Sequence, residues 1–126
     1  VLPAARRLRR PEDFTGAVRH GVRAGRPTLV VHLAADGTDP AIAGLIIAKS
    51  VGGSVVRHRV ARRIRHQIAE MMDEMPPGTR LVVRALPAAA QADSAQLGSD
   101  LRSAVRQARA RQSRTGPAAM TPEISG

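Results

Sequence analysis

The segment "VVRHRVARRIRHQIAEMM", residues 55–72, decides how the rest of the chain is read. Five arginines and two histidines lie between Val56 and Gln67, and the first acid is Glu70. Wound at about 100° per residue, the segment becomes a two-faced helix. Val60, Ala61, Ile64, Ile68 and Met71 gather on one arc, fit for a core. His58, Arg59, Arg62, Arg63, Arg65 and His66 fill the opposite arc, and Arg57 sits near the helix start, where it can reach outward. A solvated face is the plain reading of a charge run. Solvated faces commonly mix signs, however, because acid–base pairs four apart stabilise a helix. Here the cations repel one another, and those near the N-terminal end also oppose the helix dipole. Bound phosphates would cancel both costs, so the unpaired face favours a polyanion.

Immediately upstream, "GLIIAKSVGGS" (44–54) carries a strand end with Lys49 and Ser50, then Gly52 and Gly53. It superficially resembles a P-loop, but no glycine precedes Lys49, so the phosphate nest is absent and nucleotide hydrolysis is rejected. Two readings remain for the loop: a flexible strand-to-helix turn, or backbone N–H groups placed to meet a phosphate.

The whole chain agrees with the basic helix. Its 126 residues suffice for one domain, and its formal net charge is +10. Such a balance points to nucleic acid or an anionic membrane surface. Nineteen of the twenty basic side chains are arginine, Lys49 being the exception. Cysteine is absent, which excludes disulfides and thiolate metal sites. No apolar run reaches the roughly 18 residues of a membrane span, and no signal-peptide core follows the basic N-terminus; a cytoplasmic protein is expected. Phe14 is the only aromatic residue, so stacking on rings cannot be a main binding device.

Residues 1–10 read as a basic arm and "PEDFTGAVRHG" (11–21) as a short helix with Pro11 in its first turn. "TLVVHLAA" (28–35) and "AIAGLIIAKS" (41–50) read as strands joined across "DGTDP", which suggests a hairpin. The basic helix runs to about Met75, "PPG" stops it, and "TRLVVRAL" (79–86) is a third strand. A final helix covers 93–111, with Gly98 weakening it, and 115–126 reads as a disordered tail. The order α-β-β-α-β-α describes a small α/β (α+β) two-layer sandwich, with residues 11–114 as a single domain.

At this point "GLIIAKSVGGSVVRHRVARRIRHQI" resembles the central motif of the bacterial ribonuclease P protein component: strand, Lys-Ser, a glycine turn, then an arginine helix. Arg57, Arg59, Arg62 and Arg65 fall on the motif's arginines. His58 replaces its asparagine and Ala61 its lysine, with Arg63 one step along. "RRLRRPEDFTGAVRHG" and "TRLVVRALPAAA" resemble the family's opening and its third strand, so the likeness covers about residues 5–110.

The resemblance implies a fold like the second domain of ribosomal protein S5, with a left-handed βαβ crossover that the usual rule would not give. It implies a subunit that binds the catalytic RNA and the 5′ leader of precursor tRNA, promoting endonucleolytic 5′ maturation of tRNA. Catalysis would belong to the RNA, with Mg²⁺ held mainly by RNA phosphates and no catalytic or metal-binding side chain in the protein. The implied RNA contacts are Arg57, His58, Arg59, Arg62, Arg63, Arg65, Lys49, Ser50 and the arm residues Arg6, Arg7, Arg9 and Arg10. The implied leader cleft contains Phe14, with Val18 and His32 at positions that are aromatic in the family. No membrane and no DNA partner is expected. A non-enzymatic, ribosome-associated RNA binder is the rival reading; it explains the charge but not the ordered likeness.

Overall fold

The computed structural model describes residues 21–35 and 40–115, with side chains through Ser113. The expected arm, the helix over 11–21 (Gly21 aside) and the tail beyond Thr115 lie outside the described residues. So do Arg6, Arg7, Arg9, Arg10, Phe14 and Val18.

Four strands and two long helices follow in order: β1 (Val22–Gly25), β2 (Leu29–Ala35), β3 (Ile42–Ile47), α1 (Ser54–Met71), β4 (Thr79–Ala85) and α2 (Ser94–Thr115). Single 3₁₀ turns precede α1 at Lys49–Val51, follow it at Met72–Glu74, and occupy Pro87–Gln91 before α2. No helix among the described residues is long and apolar enough to cross a membrane.

Two expectations need correction. The sheet has four strands, not three, because β1 pairs antiparallel with β2, Val22 opposite Leu33 and Gly25 opposite Val30. Four residues reading Val-Arg-Ala-Gly show too little alternation to signal a strand. The expected hairpin is also absent: the sheet order is β1-β2-β4-β3, so β4 separates β2 from β3. β4 runs antiparallel to β2 and parallel to β3, with α1 in the connection from β3. The reason lies in burial. Leu81, Val82 and Val83 of β4 are fully buried on both faces of the sheet, which suits a central strand. β3, largely half-buried, takes the edge.

α1 and α2 pack side by side on one sheet face. Val60, Ile64 and Ile68 of α1 and Leu97, Leu101, Ala104 and Ala108 of α2 meet Leu29, Val31 and Leu33 of β2 and Leu81 and Val83 of β4. Each large aliphatic side chain so buried contributes about 1.5–3 kcal/mol. Gly98, which weakens α2 as a sequence, is buried where the end of the Gln67 side chain of α1 crosses it. A Cβ there would lie 2.4 Å from Gln67 Oε1 of α1. Asp93 caps the start of α2: its Oδ1 accepts from the Gln96 N–H at 2.8 Å, satisfying one of the free first-turn donors. The β1–β2 turn is fastened to α2 by polar contacts: Arg26 Nε donates to Ser103 Oγ at 2.9 Å and Thr28 Oγ1 to Asp100 Oδ2 at 2.7 Å.

Candidate nucleic-acid interface

The core arc of α1 is the one its periodicity demands: Val60, Ala61, Ile64, Ile68 and Met71 are its buried residues. With that face against the sheet, the other must look outward. His58, Arg62, Arg65 and His66 are exposed, and together with Ala61 they border a cavity of about 630 Å³. His58, Arg62 and Arg65 form no hydrogen bond or ion pair among the described residues.

The arginines of this helix divide into two groups. Arg59 and Arg63 are half-buried and turn toward the chain that enters α2, where Arg59 Nη2 donates to the Ala90 carbonyl at 3.3 Å and Arg63 Nη1 to the Ala92 carbonyl at 2.8 Å. Sequence alone assigned both to the outward face; the carbonyls they reach are about thirty residues away and leave no signal in the helix. Arg57, expected to reach outward, is half-buried, and its buried Nε has no hydrogen-bond partner. On the outer surface His66 Nε2 lies 3.2 Å from Glu70 Oε2, and Arg102 Nη2 lies 3.7 Å from Glu70 Oε1. The first acid after the arginine run is therefore held by two basic groups, one on each helix.

The start of α1 is built for close approach. Lys49 and Ser50 are exposed on the 3₁₀ turn that ends β3. Gly52 has φ 155°, and a Cβ there would come within 2.9 Å of the Val56 side chain, so this position requires glycine. Gly53 is the N-cap, without a side-chain cap, and no acid occupies the first turn. The leading amides of α1, at the positive end of its dipole, thus lie beside Lys49 without a side-chain acceptor.

His32 belongs to a different surface. It sits on the sheet face opposite the helices, between Arg23 of β1 and Val82 of β4 in register, with its residue 7% exposed. Burial, then the nearby Arg23 and Arg84 guanidinium groups, lower its pKa from the ordinary value, and its buried Nδ1 has no partner. Val30, Val82, Ala34, Ile42 and Ile46 share this face with Arg23, Arg80 and Arg84. Arg23, Arg80 and Arg84 were not among the expected site residues. The alternation Arg80-Val82-Arg84 along β4 was the available signal. Among the described residues no group of three or more histidine or acidic side chains is placed to hold a metal ion.

Comparison with known proteins agrees with this architecture. The family model Ribonuclease P matches residues 2–109. The ribonuclease P protein component of Streptomyces bikiniensis is 51% identical over 114 residues, spanning 83% of this chain and 93% of its own. That of a Mycobacterium species (strain KMS) is 51% identical over 113 residues, spanning 88% and 96%. Among solved structures, a Staphylococcus aureus ribonuclease P protein mutant superposes with TM-score 0.77 at 22% identity, over 83% of this chain and 89% of its own. The Thermotoga maritima ribonuclease P protein gives 0.70 at 20% identity, over 80% and 96%. These two show a shared fold.

Proposed function

Since the chain belongs to the ribonuclease P protein family, as a protein component of the bacterial holoenzyme that processes tRNA 5′ ends, we propose that α1 and the loop before it hold the catalytic RNA, and that the His32 face of the sheet lies along the 5′ leader of precursor tRNA. The observation that carries this reading is the division within α1. One side is fully committed to the core, while Arg62, Arg65 and His58 stand exposed and bond no other side chain or backbone group among the described residues. Lys49, Ser50 and the uncapped helix start extend that surface toward a phosphate. Arg59 and Arg63 would contribute with the donors their internal contacts leave free, a guanidinium having five, and Arg57 with the terminal nitrogens of its guanidinium. The arm residues Arg6, Arg7, Arg9 and Arg10 would add charge to the same partner, and Phe14 and Val18 would complete the leader surface with His32.

In this reading the protein's work is electrostatic and positional, at its place in the cytoplasm. It neutralises phosphates, orients the leader, and supplies no reacting group. Mg²⁺ held by RNA phosphates would provide the charge stabilisation that the hydrolysis needs. A ribosome-associated structural role is disfavoured by the family match over residues 2–109.

The test is precursor-tRNA cleavage by the cognate RNA subunit at low Mg²⁺, with and without the protein, across a salt series. Arg62→Ala/Arg65→Ala is the informative variant because both side chains are exposed and bond nothing among the described residues. Stimulation by the wild-type protein that the variant loses, with a shallower salt dependence, is the expected result. A variant that stimulates as well as wild type, with unchanged salt dependence, would overturn the assignment of α1.

A further inference from the structure

We propose that α2 carries a second phosphate-binding surface, formed by Arg102, Arg106 and Arg109, which engages an RNA segment other than the one held by α1. The inference rests on the RNA-partner reading above and extends it to an element that reading does not use. Between Ser94 and Thr115, α2 has five arginines and one acid, Asp100, which is already bonded to Thr28. Arg102, Arg106 and Arg109 follow at four- and three-residue spacing, so they form one stripe along the helix. All three are exposed.

Cations toward the end of a helix complement its dipole, but that effect fades within the last turn. The last turn of α2 begins after Arg111, so the dipole does not account for the stripe. Arg106 and Arg109 make no hydrogen bond or ion pair among the described residues. The stripe borders a groove of about 320 Å³ whose floor is Met71 of α1 and Val105 of α2, with Glu74 at its edge.

Two features favour RNA over an acidic protein as occupant. Three guanidinium groups rise along about 10 Å of helix, a geometry suited to a run of phosphates rather than to a single carboxylate. The stripe is also continuous with the α1 surface. Glu70, held on one side by His66 of α1, is held on the other by Arg102 of α2. An RNA lying on α1 therefore has a second cationic track within reach across this bridge. The carboxylates facing the track are Glu70 and Glu74; Glu70 is already paired with Arg102.

The experiment compares full-length wild type, Arg106→Gln/Arg109→Gln and Arg62→Ala/Arg65→Ala. Each is titrated with the cognate ribonuclease P RNA across a salt series, and each complex is footprinted on that RNA. Arg102 is left intact because it also bonds Gln67, and helicity by circular dichroism checks that the variants fold. The α2 variant should bind about 10-fold more weakly, with a salt slope smaller by about 2. It should lose protection at nucleotides that the α1 variant still protects. An α2 variant with normal affinity and slope, beside a weakened α1 variant, would overturn this proposal and leave the α1 reading standing. Loss of the same protected nucleotides in both variants would overturn the second segment. No effect in either variant would remove the RNA reading itself.

Discussion

Arg63 Nη1 donates to the carbonyl of Ala92 at 2.8 Å, fastening α1 to the residue that precedes the cap of α2. Its neighbour Arg62 is exposed and engages nothing among the described residues. Two adjacent arginines of one charge run thus do different work. Arg63→Ala should cost about 1–2 kcal/mol in urea unfolding, as expected when a charge-assisted hydrogen bond is lost and a carbonyl is left without its donor. Arg62→Ala should stay within about 0.5 kcal/mol of wild type. Equal stability of the two variants would show that the Arg63 contact is not formed in solution.

Gly52 and Gly53, adjacent in sequence, should respond differently to alanine. At Gly52 the new methyl meets Val56 at 2.9 Å and the backbone has φ 155°; at Gly53 nothing lies within 4 Å and φ is −71°. Gly52→Ala should destabilise by about 1–3 kcal/mol and move the start of α1, weakening RNA binding with it. Gly53→Ala should cost no more than about 1 kcal/mol, the scale of an N-cap preference. Thermal unfolding paired with RNA titration distinguishes the two.

His32 makes stability depend on pH. Its folded-state pKa is lowered by burial and by Arg23 and Arg84, so below the unfolded value the unfolded chain takes up more protons than the folded one. The contribution of neutral His32 is present above the unfolded pKa, about 6.5. It is lost progressively as pH falls toward the folded value. Denaturant midpoints between pH 7.5 and 5 should fall more steeply for wild type than for His32→Gln. Parallel curves would mean that His32 is protonated as easily folded as unfolded.

Glu70 is the acid on the outer surface where the two helices meet, 3.2 Å from His66 Nε2 and 3.7 Å from Arg102 Nη2. Such exposed pairs contribute little to stability, so Glu70→Gln should unfold within about 0.5 kcal/mol of wild type. It should nevertheless bind RNA a few-fold more tightly at low salt, because it removes a negative charge from the cationic surface. Weaker RNA binding by this variant would mean that the carboxylate positions Arg102 or His66 for the RNA.

The local elements were legible in the residues. α1 showed its buried arc because helical periodicity is written every three to four residues. β2 and β4 showed themselves as β-branched runs, and the glycines before α1 marked a turn. β1 was hidden because four residues hold barely one repeat of a strand pattern. Of the candidate site, the charge and the helix that carries it could be read, but not which arginines are free.

Sequence by itself determined what each short segment is and how much positive charge the chain must place on its surface, since both follow from side-chain order and count. Only the tertiary structure decided the rest. It put β4 between β2 and β3, because the two strands with the most buried residues, β2 and β4, take the sheet interior and pairing is settled by the burial of all four strands together. It turned Arg59 and Arg63 inward to carbonyls of Ala90 and Ala92, left Arg62 and Arg65 facing out, and set Arg102 against Glu70. Those contacts join residues about thirty positions apart, and no local pattern records them; they exist only once the helices have found their places on the sheet.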